Sequence, residues 1–107
     1  WDARSAGEYN GQVGNNRYLG HIPGAVNMDW LTVMDRQRDL RIRDYAELIT
    51  ELEAIGLTPE MEIATHCQSH HRSSFTWLVG KALGFHMRGY AGSWNDWGNR
   101  NDTPIEK

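Results

Sequence analysis

EIATHCQSHHRSSFTWLVGKALG, residues 62–84, decides the fold. Glu62 to His66 reads as a short strand. From Ser73 to about Leu83 the apolar residues Phe75, Leu78, Val79, Ala82 and Leu83 recur at helical spacing, and Gly84 supplies a stop. Only a short polar loop separates the two. A strand that turns directly into a helix is half of a β-α-β unit, and ligands of open α/β sheets bind at the carboxyl ends of such strands. Cys67 stands at that end, followed by Gln68, Ser69, His70, His71 and Arg72.

The flanking sequence repeats the alternation. DYAELITELEAIG, residues 44–56, places Tyr45, Leu48, Ile49, Leu52 and Ile55 on one helical face, with Asp44 to cap the start and Gly56 to end it. HMRGY, 86–90, suits a last short strand, and Ser93 to Trp97 a short helix or turn. WDARSAGEY, 1–9, reads as the end of a strand entering a helix, with Ser5 and Glu8 at capping-box spacing. Residues 10–20 are rich in Gly and Asn and predict a surface loop; Pro23-Gly24 predicts a turn and Ala25 to Asn27 a short strand. The sum is an α/β domain whose mainly parallel sheet is covered on both faces.

With 107 residues the chain fits one small domain. Its 39% hydrophobic and 23% charged content is that of a globular protein. A net charge of −3 offers no basic footprint for nucleic acid, and no apolar run approaches the ~20 residues that span a bilayer. The four arginines 36, 38, 41 and 43 share residues 35–43 with two aspartates and read as a solvated, mixed-charge surface. A single cysteine excludes an internal disulfide and suits a reducing, cytoplasmic setting.

The chemistry of that cysteine follows from its neighbours. A thiolate is the reactive form, and a helix N-terminus and nearby cations favour it. The loop from Gln68 to His71 would curl its amides around the sulfur, making a nest for negative charge. Arg72 could hold an oxyanion through two parallel hydrogen bonds, with His70, His71 and Ser73 adding donors. The alternatives are a small buried thiol and a zinc ligand. Zinc would need a second ligand cluster, whereas His21 and His86 stand alone. The five tryptophans, 1, 30, 77, 94 and 97, read as core or rim, with Trp94 and Trp97 also placed to wall a pocket.

Four stretches together resemble the rhodanese (thiosulfate sulfurtransferase-like) family: DARSAGEY at 2–9, GHIPGAVN at 20–27, CQSHHRS at 67–73 and GYAGSWNDW at 89–97. The Cys loop is most similar to that of the catalytic C-terminal domains of tandem-domain bacterial sulfurtransferases, but His70 replaces a usual glycine. The resemblance implies a three-layer α/β/α fold over residues 1–107. It also implies double displacement, in which Cys67 takes sulfur from a thiosulfate-like anion as a persulfide and passes it to cyanide or a thiol. Mercaptopyruvate is a second donor to consider. No cofactor or metal is implied beyond the persulfide. Substrate contacts fall to Arg72, Gln68, Ser69, His70, His71 and Ser73, whereas Asp2, Arg4 and Glu8 tie motifs together. Because the chain starts at Trp1, the expectation is a truncated first strand and excision from a longer protein with an inactive N-terminal rhodanese-like domain. A sulfur-relay protein is a further expected partner. The rival readings are a non-enzymatic persulfide carrier or regulatory module, and a phosphatase of the same fold. The phosphatase would need a Cys-to-Arg loop one residue longer than this one.

Overall fold

The computed structural model describes residues 1–35, 37 and 41–107. Their order is α1 (Ala6–Tyr9), a 3-10 turn (Trp30–Val33), β1 (Met34–Asp35), β2 (Arg41–Ile42), α2 (Tyr45–Ala54), β3 (Glu62–Thr65), α3 (His71–Ala82), β4 (His86–Gly89) and α4 (Ser93–Trp97). β1 and β2 form a small antiparallel ribbon. Arg36 and Arg38 of the expected solvated surface lie outside the described residues.

The central layer is parallel. β3 pairs with β4 in the register Ile63 to Met87. On the other side of β3 the first residues of the chain continue the layer: Ala3 N–H donates to His66 O and His66 N–H to Trp1 O, at 2.9 and 3.0 Å. Asp2 in turn bridges to Asn27. The strand expected at Ala25 to Asn27 is thus reduced to a single bridge, and β3 ends at Thr65, with His66 held only by its bridge to Asp2.

Local chemistry sets the helices. Ser5 Oγ accepts from Glu8 N–H while Glu8 Oε1 accepts from Ser5 N–H, the reciprocal capping box. Asp44 caps α2 through Glu47 N–H. α2 and α3 end alike. Leu57 N–H reaches back to Leu52 O, and Phe85 N–H to Gly80 O, across Gly56 and Gly84, whose φ values are +99° and +90°. Only glycine adopts that conformation without strain.

Leu48 and Leu52 of α2, Val79 of α3, Ile63, Met87, Phe85, Val33 and Trp1 make one core on one side of the layer. The face expected for α3 is corrected. Val79 is buried and Phe75 and Leu83 pack at the core edge, but Leu78 and Ala82 are exposed while Ser73, Thr76 and Gly80 are buried. The helix lies so close to the layer that small side chains must face it. Thr76 Oγ1 pairs with Thr65 Oγ1 at 2.7 Å, so the polar atoms are satisfied. α3 also starts at His71, two residues before the expected Ser73.

The second face is covered only in part. At its carboxyl end Asp2, Arg4 and His66 are buried, and the Arg4 guanidinium lies 4.6 Å over the Trp94 ring. At its amino end Glu62, Ala64, His86 and Arg88 are exposed. The alternation Glu62-Ile63-Ala64-Thr65 is the signature of a strand wet on one side.

Candidate active site

Three chain segments converge on the end of β3, and a buried ion pair locks them. Arg4 Nε and Nη2 grip Asp2 at 3.0 and 2.7 Å, and Nη2 also donates to Gly20 O at 2.7 Å. The first motif is thereby tied to the second, and through Trp94 to the last. Tyr9 stacks on His21 with ring centroids 3.7 Å apart, adding a second tie between the first two. His66 Nε2 lies 3.4 Å from Asp2 Oδ2, at ion-pair distance but without a hydrogen bond. Burial works against ionisation of Asp2, yet His66 and Arg4 outweigh it and hold the carboxyl far below its ordinary range.

Cys67 sits on this platform, almost wholly buried. Its N–H donates to Ser93 Oγ at 3.2 Å, while its carbonyl accepts from Trp94 N–H at 2.9 Å. Gln68 O accepts from Asn95 N–H at 2.9 Å, so α4 fixes the first two carbonyls of the loop. The sulfur faces the start of α3. Ser73 Oγ and Ser73 N–H donate to it at 3.3 and 3.4 Å, and the backbone amides of Ser69 and His70 also favour its charged form. Burial opposes the charged form, but these four donors prevail and the thiol ionises more readily than a free cysteine.

His70 takes the backbone position that favours glycine, at φ +68°. Its ring lies against Gly89, where an added Cβ would come within 2.6 Å of Cε1 and Nε2. Nδ1 meets Ser73 Oγ at 2.6 Å. His71, the next residue, is exposed, so the two imidazoles diverge. Ser69 is exposed too and contributes its amide.

Arg72 is not an unencumbered anion receptor. Nη1 and Nη2 are bound by Glu8 Oε1 and Oε2 at 2.8 and 3.0 Å. The positive charge nonetheless lies close enough to the Cys67 sulfur for the two to strengthen each other. Gln68 exchanges two hydrogen bonds with Asn16, at 3.0 and 2.9 Å, and Asn99 adds a third to Asn16. The sequence pattern does not single out Ser93, Asn16 or Gly89 as site residues. Ser93 lay inside the closing motif, but nothing in the linear pattern pointed to Asn16. Trp94 is fully buried beneath the loop, and Trp97 Nε1 bonds to Pro104 O instead of lining the sulfur's surroundings.

No cluster of three His, Cys, Asp or Glu side chains suited to a metal occurs among the described residues.

The chain is similar to known proteins. A thiosulfate sulfurtransferase of Azotobacter vinelandii is 54% identical over 107 residues, and one from Pseudomonas aeruginosa 53%; each match covers 99% of this chain and 39% of the relative. The sulfur carrier protein TtuD of Thermus thermophilus is 37% identical, over 99% of this chain and 40% of that protein. The chain thus spans about two fifths of the length of these relatives. Among solved structures, EanB with a cysteine persulfide and ergothioneine superposes with a TM-score of 0.87 at 26% identity, covering 98% of this chain and 27% of EanB. The model of the rhodanese-like domain matches residues 1–100, taking in the Asp2–Arg4 lock, the Cys67 loop and the α4 platform, and the chain belongs to the rhodanese-like domain family.

Proposed function

We propose that this domain is a sulfurtransferase that moves a sulfane sulfur from a small anionic donor of the thiosulfate type to a thiol or cyanide. One observation carries the reading: the sole cysteine is buried among four donors at the start of a 12-residue helix, with a guanidinium beside it. Such a cradle stabilises a sulfur anion in two states, first as thiolate and then as persulfide.

Cys67 Sγ attacks the outer sulfur of the donor, the sulfur–sulfur bond of the donor breaks, and sulfite leaves with the electron pair. The outer sulfur, now bonded to Cys67, extends the anion towards the amides of Ser69, His70 and Ser73. An acceptor then attacks that sulfur and Cys67 leaves as thiolate. The chemistry needs no cofactor beyond this covalent intermediate. Arg72 attracts the donor anion with the N–H groups that Glu8 does not use, since guanidinium has five. Gln68 and His71, at the rim, meet the parts of the donor or acceptor that remain outside.

Intact mass after thiosulfate treatment tests the reading. A gain of about 32 Da on the wild type, lost in Cys67→Ala, is the expected result. No adduct with either thiosulfate or mercaptopyruvate sinks it. The similarity to a sulfur carrier protein favours one second reading, in which the persulfide is handed to a partner protein. Steady-state turnover with thiosulfate and cyanide separates the two, because a carrier gives a single transfer. In either role we place the domain in a reducing cytoplasm, working beside a second, inactive rhodanese-like domain or a sulfur-relay protein. The fraction of its relatives' length that it spans is consistent with such a neighbour.

A further inference from the structure

Ser73 has one hydroxyl hydrogen and two partners that compete for it. Oγ is 3.3 Å from Cys67 Sγ and 2.6 Å from His70 Nδ1. Ser73 is fully buried, so water does not take its place. When the hydrogen points to sulfur, the short contact to the imidazole is satisfied only if Nδ1 carries a proton and donates. When it points to Nδ1, Oγ is left as an acceptor facing the thiol. The two arrangements differ by the position of one proton, and each is fully hydrogen-bonded.

The ring is held for this purpose from its other side. Its Cε1–Nε2 edge lies on Gly89 at the end of β4, where any side chain would displace it. His70 also keeps a left-handed backbone that costs a non-glycine residue energy. Its side chain does not cap α3, so helix capping does not account for the residue.

We propose that Cys67, Ser73 and His70 form a proton relay, in which His70 Nδ1 receives the thiol proton through the Ser73 hydroxyl. The S–H bond breaks and its proton passes to Ser73 Oγ. The proton already on Oγ passes to Nδ1. Thiolate and imidazolium result, with no change in the net charge of the site. The relay rests on the proposed sulfur-transfer role only in giving the thiolate its use. Ser73 touches the reacting sulfur; His70 is a positioning and proton-holding residue that acts through it. The other charged groups facing the pair are Arg72 beside the sulfur and Glu8 on Arg72, from α1. α4 offers Ser93 and Trp94, and β4 offers Gly89, none of which titrates near neutrality.

The test is the pH profile of Cys67 alkylation by iodoacetamide, in the whole protein, for wild type, His70→Asn, Ser73→Ala and the double variant. Asn tolerates the left-handed backbone but does not accept a proton. Loss of the imidazolium partner should move the alkylation profile of each single variant to higher pH by about one unit. The double variant should match the more affected single variant, because the residues act as one chain. The rates should converge at high pH, where the thiol ionises unaided. A His70→Asn profile that superposes on wild type overturns the relay, as do shifts that add in the double variant. Should Ser73→Ala fail to fold, the His70→Asn profile decides alone. Alkylation reads the sole cysteine directly, so this result is independent of whether thiosulfate is the donor.

Discussion

Arg72 must hold a neighbour and attract a substrate with one charge. Its pair with Glu8 is half-buried, and removing it should cost about 1 kcal/mol or less. A charge-assisted hydrogen bond to a bound anion is worth about 1.5–3 kcal/mol. Arg72→Ala should therefore raise the KM for thiosulfate about tenfold or more while shifting the melting temperature only slightly. Collapse of the melting transition would instead make Arg72 structural. Glu8→Gln tests the opposite direction. Glutamine keeps the capping box but drops the competing charge, so the KM for thiosulfate should fall a few-fold. The Ser5–Glu8 box was legible in the sequence because it spans three residues. The Glu8–Arg72 pair spans 64 and was not, because no local pattern records which distant side chain will arrive.

Helices α2 and α3 are oriented by the way they stop. In both, a left-handed glycine lets the chain reverse and sends Leu57 or Phe85 into the core. A Cβ at Gly56 or Gly84 meets open space, so its cost is purely conformational. Gly56→Ala and Gly84→Ala should each destabilise by about 1 kcal/mol, and the two effects should add in urea titrations. Both glycine stops were legible in advance, as was the buried pair Leu48 and Leu52. The buried face of α3 was not. Periodicity counts apolar side chains, and here the decisive quantity was size: Thr76 and Gly80 fit where the helix meets the layer, and Leu78 does not.

The stability of the entire domain is tied to one buried carboxylate. Asp2 is depressed in the folded state, so its contribution is present above the unfolded aspartate pKa of about 3.9 and is lost as the pH falls below it. Asp2→Asn leaves Arg4 buried without its counter-charge and should cost about 3–5 kcal/mol at pH 7. The variant should also lose less further stability than wild type between pH 5 and pH 2, measured by urea unfolding across that range. Equal acid sensitivity of the two would show that the Asp2 pair does not govern it. The covered half of the second face belongs to this ion pair; the open half, with Glu62, His86 and Arg88, takes no part in it.

The hydrogen bonds that hold the sulfur's loop from outside come from far along the chain: Asn16 is 52 residues from Gln68, and Ser93 is 26 from Cys67. Contacts of such separation form late in folding, since they must first overcome the entropy of closing large loops. A partly folded chain therefore carries an ordinary thiol rather than a primed one. Reactivity is withheld until the last segments have docked, so the rate at which Cys67 is alkylated during refolding serves as a clock for completion of the native state.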